Sequence, residues 1–231
     1  MVTENIPVAQ TQWPKAYRII RSIFPPIDLF EDVADPSDWE ALASAESKTN
    51  PRVWENLGRL DLVPPGRRVS GVGASWLMAP FVHVSRDRPG RFTDGRYGVY
   101  SAGDREEVAI RETAHHHARF MAQSREEPGW TSQFRALINA LDLDLHDVCG
   151  DPAMHDPSDY ARSQAVAKDL RDAQSNGILY RSVRCPGGEC VAIFWPDLMP
   201  IPIQGDHFDY FWNGERVDKV RNCRIGAIFA L

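Results

Sequence analysis

Two stretches of the 231-residue chain bring together residue types that can do chemistry. In the first, Gly90-Arg91-Phe92-Thr93-Asp94-Gly95-Arg96-Tyr97-Gly98-Val99-Tyr100 supplies a guanidinium at Arg91 and a ring at Tyr100, and Glu112 adds a carboxylate twelve residues later. In the second, Gly177 to Phe194, the Ser182 hydroxyl sits inside an apolar strand pattern. A guanidinium offers a planar fork of donors suited to phosphate or carboxylate. A ring offers a flat face to a cation or a planar group. A carboxylate stabilises a centre that turns positive as a bond breaks. Each residue has a plainer reading too: Glu112 as a solvated or salt-bridged helix charge, Arg91 as a turn residue pairing with Asp94, Tyr100 as core, and Ser182 as a buried hydroxyl bonded to backbone.

The elements that must carry these residues follow from local pattern. Tyr17 to Ile20 reads as a strand after a loose tail over residues 1–14, and Asp35-Pro36 and Asn50-Pro51 read as helix starts with Pro at the first helical position, giving helices Pro36 to Glu46 and Pro51 to Leu57. Gly71 to Val84 is apolar and ambiguous between strand and helix. Gly98 to Ala102 has the length of a buried strand, and Asp104 with Glu107 resembles a capping box opening a helix that runs to about Gln123 and carries Glu112. Gln133 to Leu145 suggests a strand pair. Asp156-Pro157 opens a helix through Gln174, with Gly177 placed to stop it. Ile178 to Val183 and Cys190 to Phe194 read as strands joined across a Pro-Gly-Gly turn, and Asn213-Gly214 marks a hairpin between Phe208 to Trp212 and Glu215 to Val220. The expected class is α+β, one domain with a mostly antiparallel sheet.

Composition narrows the function classes. With a net charge of −6 and pI near 5.6 the chain has no broad electrostatic grip on nucleic acid. Its 22 Arg against 4 Lys hint at anion recognition, although a GC-rich coding sequence gives the same excess. No apolar run approaches the roughly 20 residues of a membrane span, and the N-terminus lacks the layout of a secretory signal, so the cytoplasm is the expected compartment. Cys149, Cys185, Cys190 and Cys223 do not form a secreted disulfide framework. Cys185 and Cys190 amount to half a zinc site without a second close pair, so they read as thiols in a reducing compartment. His115, His116 and His117 would point about 100° apart on a helix and cannot converge on one metal, which leaves a solvated helix face. Rossmann, Walker A and G-x-S-x-G patterns are absent.

Tyr17-Arg18-Ile19, GRFTDGRYGVYSA with the downstream Glu, DYARSQAVAKDLRDAQSNGI and YRSVRCPGGECVAIFWP, in this order over about residues 15 to 225, resemble the RES domain family. The resemblance implies an ADP-ribosyltransferase-like fold and the toxin half of a bacterial RES-Xre toxin-antitoxin pair, which consumes NAD by breaking its nicotinamide to ribose bond without a metal. It implies Glu112, Arg91 and Ser182 as catalytic residues, and Arg18, Arg91, Tyr100 and Ser182 as the residues that bind NAD. A cognate Xre-type antitoxin would be the partner, any DNA contact belonging to it. The ADP-ribose acceptor is left open among phosphate, water and a protein side chain. About 70 residues separate Arg18 from Arg91, so a helical elaboration over about 28–70 is expected within a domain of 15–231. Arg96, Tyr97 and Arg111 compete with the chosen positions.

Overall fold

A computed structural model describes residues 6–24, 35, 37–48 and 58–231 of the chain. Eight strands, β1 (Val8–Arg21), β2 (Tyr100–Gly103), β3 (Thr131–Asp147), β4 (Gly177–Arg181), β5 (Glu189–Ile193), β6 (Ile203–Trp212), β7 (Val217–Asn222) and β8 (Ile228–Ala230), form one sheet in the order β1-β2-β5-β4-β3-β6-β7-β8. Neighbours are antiparallel except β3 and β4, which meet in parallel at His146↔Ile178 and Asp147↔Leu179. Four α-helices accompany them among the described residues: α1 (Trp39–Glu46), α2 (Ala74–Val82), α3 (Glu106–Ser124) and α4 (Ala161–Asp172). The α+β class with a mostly antiparallel sheet is therefore as expected.

The sheet closes on itself. β1 pairs with β2 at Tyr17↔Gly103 and with β3 from Val8↔His146 to Arg21↔Phe134, so β1, β2, β5, β4 and β3 make a ring from which β6, β7 and β8 continue. The long β3 is the shared wall: β1 occupies one edge, while β6 takes the start of the other edge and β4 its end. Residues expected as a strand pair are thus a single strand. Asn139, the residue most suited to a turn there, is 5 % exposed; its amide oxygen accepts from Tyr100 Oη at 3.0 Å and its amide donates to the Pro200 carbonyl at 3.1 Å.

Side chains alternate across each strand, and the ring separates three cores. Ala16, Tyr100, Ala102, Leu141, Leu145, Leu179, Val191 and Ile193 face inward and meet Leu77, Met78 and Phe81 of α2. Ile178, Tyr180, Cys190 and Ala192 face outward beneath Val166, Ala167 and Leu170 of α4. Ile19, Phe134, Ala136, Phe208, Tyr210 and Val220 form a third core with Ala109, Ile110 and Ala114 of α3.

Several local expectations need correction. Residues 8–14 are strand and not tail; Pro14, which cannot donate to a ladder, falls where the β1–β3 register shifts between Trp13 and Ala16. The ambiguous segment is helix α2. Helix α3 starts at Glu106 with no side-chain cap, because Asp104 pairs with Arg105 at 2.9 Å instead. Helix α4 starts at Ala161, since Asp156 is spent on the amides of Ser158 and Asp159, and the left-handed residue after it is Gln174 while Gly177 opens β4. Of the helical elaboration, α1 is present with Trp39 and Ala43 buried, Pro51 to Leu57 lies outside the described residues, and 58–70 holds two short 3-10 turns. The β4–β5 and β6–β7 hairpins form as expected.

Candidate functional site

Helix periodicity decides where Glu112 faces. Val108 lies in the α4-side core, whereas Ala109, Ile110 and Ala114 lie in the β6–β7-side core, and Glu112 follows Val108 by one turn on the same face. Glycines in the opposing backbone let α3 come close. A Cβ on Gly188 would stand 2.4 Å from Val108 Cγ2, and one on Gly103 would stand 2.8 Å from Val108 Cγ1. The Pro-Gly-Gly turn, with Gly187 at φ +74°, therefore presses against the first turns of α3 and brings Ser182 to the carboxylate.

The Ser182 hydroxyl donates to Glu112 Oε1 at 2.6 Å. Its oxygen also accepts from the amides of Arg184 at 3.2 Å and Cys185 at 2.9 Å. Two amides fill the acceptor side, so the single hydroxyl proton has one direction left, toward Glu112. A 7 % exposed serine thereby fixes one oxygen of a half-buried carboxylate and leaves the other free. Two neutral groups on the same outward face complete the surroundings. Burial pushes the Tyr180 phenol well above its ordinary pKa, with Cys190 and Glu112 adding to the effect and Arg91 opposing it. The Cys190 thiol is likewise pushed well up by burial, then by the Glu112 charge.

Arg91 is held by carbonyls, not by Asp94. Its Nη1 donates to the Met154 carbonyl at 3.0 Å and the Asp156 carbonyl at 2.8 Å, and its guanidinium lies 4.6 Å over the Tyr160 ring; Asp94 pairs with Arg96. Arg184 is anchored in the same manner, donating to the Pro157 carbonyl at 2.6 Å. Main-chain anchoring fixes both forks without neutralising them. Their fields reach the helix: burial first, then Arg184, His116, Arg119 and Arg91, lower His115 to a pKa of about 4. Among the described residues Glu112 has no ion pair, and the Arg91 and Arg184 charges act on the same stretch of helix, a setting that can bind an anion near a carboxylate able to stabilise a cation.

Arg18 and Tyr100 come together elsewhere. Arg18 shares the face of Ala16, and its guanidinium lies 5.0 Å over the Tyr100 ring and donates to the Ser101 carbonyl at 3.0 Å. Burial lowers its pKa while Tyr100 opposes the shift, and its Nε is buried with no partner. Tyr100 is fully buried in the inward core, and burial, only partly offset by Arg18, raises its phenol to about 12. The structure thus joins Glu112 with Ser182 and sets Arg91 in their field, joins Arg18 with Tyr100, and links the two groups by no hydrogen bond or ion pair.

Of the competing positions, Tyr97 is buried and donates to the Phe92 carbonyl, and Arg111 pairs with Glu107 one turn back. The three histidines diverge, but they are not one solvated face: His117 is 6 % exposed and packs on Phe134 and Tyr210. Tyr180 and Arg184 were not singled out from the sequence, although Tyr180, two residues before Ser182, shares its strand face by alternation. Two surface depressions bear on access. One, about 380 Å³, lies behind residues 151–154 and touches Asp147, Met154 and Arg162; the other, about 460 Å³, is lined by Glu40 and Gly58 to Asp61; Glu112 lines neither.

Comparison with known proteins places this arrangement in a family. The chain is 27 % identical over 203 residues to the uncharacterized protein y4oC of Sinorhizobium fredii, covering 87 % of this chain and 84 % of that one. A chain in the crystal structure of the M. tuberculosis MbcT-MbcA toxin-antitoxin complex is similar over 86 % of each chain, at 10 % identity and a TM-score of 0.43. The family model for the RES domain matches residues 66–213, a stretch that contains Arg91, Tyr100, Glu112 and Ser182 and leaves Arg18 ahead of it. With most of its length matched, the chain belongs to the RES domain family.

Proposed function

We propose that this protein cleaves the bond between nicotinamide and ribose in NAD and passes ADP-ribose to an acceptor, as the toxin of a toxin-antitoxin pair. The observation that carries the reading is the 2.6 Å hydrogen bond from Ser182 to Glu112, which fixes a carboxylate on the helix that the Arg91 and Arg184 charges reach. In the first step the nicotinamide nitrogen leaves with the bonding electron pair and the ribose carbon becomes cation-like. Glu112 stabilises that charge through its free oxygen. Ser182 positions Glu112, while Arg91, with Arg184, holds the pyrophosphate. Phosphate, water or a protein side chain then attacks the sugar, and the three acceptors share the bond-breaking step. Arg18 and Tyr100 have a part in nucleotide binding if the substrate also reaches the inner side of the ring.

A partner antitoxin of the Xre type would silence the protein by covering Glu112, and both would act in the cytoplasm; no helix among the described residues is long and apolar enough to cross a membrane. The separation of Arg18 from Glu112 favours one second reading, a module that binds a nucleotide or an antitoxin without turnover. Incubating purified protein with NAD and following nicotinamide decides between them. Release by the wild type that falls on the order of a hundredfold to a thousandfold in Glu112→Gln, at an unchanged melting temperature, is expected. Equal release by the variant removes Glu112 from the chemistry, and no release by the wild type leaves the binding module.

A further inference from the structure

Arg91 and Arg184, whose charges reach the helix that carries Glu112, are both anchored on one loop. Residues 151–160 supply the carbonyls of Met154 and Asp156 to Arg91, the carbonyl of Pro157 to Arg184, and the Tyr160 ring beneath Arg91. The loop is stiffened locally by Asp151 and Asp156, whose carboxylates accept from the amides of Ala153, Ser158 and Asp159. A side chain also ties it across to the sheet. His155 Nδ1 lies 2.8 Å from the Asp151 carbonyl, and His155 Nε2 lies 3.0 Å from the backbone nitrogen of Arg181, the residue before Ser182.

These partners fix the state of the ring. A carbonyl can only accept, so Nδ1 carries the hydrogen; an amide N–H can only donate, so Nε2 carries the lone pair. We infer that His155 is a positioning residue for this site: its neutral ring latches the loop that carries both guanidiniums to the strand that carries Ser182. Without the ring, the Asp151 carbonyl and the Arg181 amide lose the partner that joins them, and the latch is released. The opening would weaken the grip on a substrate's phosphates, while Glu112 and Ser182 keep their own hydrogen bond.

The kinetic half of this inference rests on the proposed NAD cleavage; the latch itself does not, and two readouts keep them apart. Hydrogen exchange of the Arg181 amide, followed by NMR on the full chain without any substrate, tests the latch. It should be protected in the wild type, be unprotected in His155→Ala, and stay protected in His155→Gln, whose amide oxygen can accept in place of Nε2. Kinetically, His155→Ala should raise KM for NAD about tenfold, the cost of a lost hydrogen bond in a part-buried setting, with kcat within twofold. His155→Gln should keep the wild-type KM. An Arg181 amide equally protected in His155→Ala, or a KM unchanged in His155→Ala, overturns the inference. Absence of nicotinamide release from the wild type overturns the proposed function alone, because the amide still answers.

Discussion

Two arginines of this fold lie over tyrosine rings, yet they live in different electrostatic worlds. Arg18 sits part-buried on the Tyr100 ring at the inward side of the strand ring, where burial lowers its pKa, next to a phenol that is itself tied to Asn139 and, through it, to Pro200. Arg91 sits on the Tyr160 ring of a surface loop, its donors on carbonyls and its field reaching His115, Tyr180 and the Glu112 side of α3. The first arrangement spends the charge on holding elements together; the second holds the charge ready. What separates a structural guanidinium from an available one here is its surroundings, since both accept the same anchors: an aromatic face and main-chain oxygen.

That contrast can be broken by experiment. The largest effect after Glu112 is expected at Ser182, where Ser182→Ala frees the carboxylate to rotate and leaves the amides of Arg184 and Cys185 without an acceptor. Nicotinamide release should fall roughly ten- to a hundredfold, in keeping with a lost hydrogen bond to a charged group, and Ser182→Thr should restore part of it; unchanged release would strip Ser182 of its positioning role. Next come the arginines compared pairwise. Arg91→Gln should raise KM for NAD about tenfold without moving the melting temperature, as for one lost charge-assisted contact. Arg18→Gln should lower turnover and also the melting temperature, by about 2 to 4 °C for a loss near 1 kcal/mol in a chain of this size; turnover lost at the wild-type melting temperature would put Arg18 in the same open group as Arg91.

The smallest effect at neutral pH lies in His117, whose pKa is lowered to about 4 by burial against Phe134 and Tyr210, with Arg21 adding to the shift. The unfolded chain binds this proton near pH 6.5 and the folded one only near 4. The folded state therefore keeps its full stability above about pH 6.5 and loses it as pH falls toward 4, by on the order of 3 kcal/mol. His117→Phe should flatten that acid-side fall in denaturation curves, and an equally steep fall would assign it to other groups.

How much of this was legible in the sequence depended on whether side chains or backbone carried the signal. The Pro-Gly-Gly and Asn213-Gly214 hairpins announced themselves through turn residues that admit few other conformations. The approach of Glu112 and Ser182 was legible through the family resemblance, and α3's periodicity explains it afterwards. β1 was cut short because a polar run with a proline at position 14 reads as a tail until the register shift that absorbs it is seen. β3 was divided because a thirteen-residue alternating run, Gln133 to Leu145, is longer than a usual strand, and the buried Asn139 that bridges Tyr100 and Pro200 within it gave no signal of continuity. The anchors of Arg91 and Arg184 left no trace, since a carbonyl oxygen belongs to every residue type alike, and His155 went unnoticed for the same reason.

The closure of β1 against β3 also sets a limit on how the molecule can be dissected. The recognised family segment begins at residue 66, yet the strand that covers one flank of β3 from Phe134 to His146 lies ahead of it, from Val8 to Arg21. An excised fragment starting at that boundary would keep Glu112 and Ser182 but present that long, unzipped flank to its neighbours, the kind of bare edge on which chains stack into aggregates. Trimming the protein to its signature would thus cost it solubility before it cost it any catalytic group.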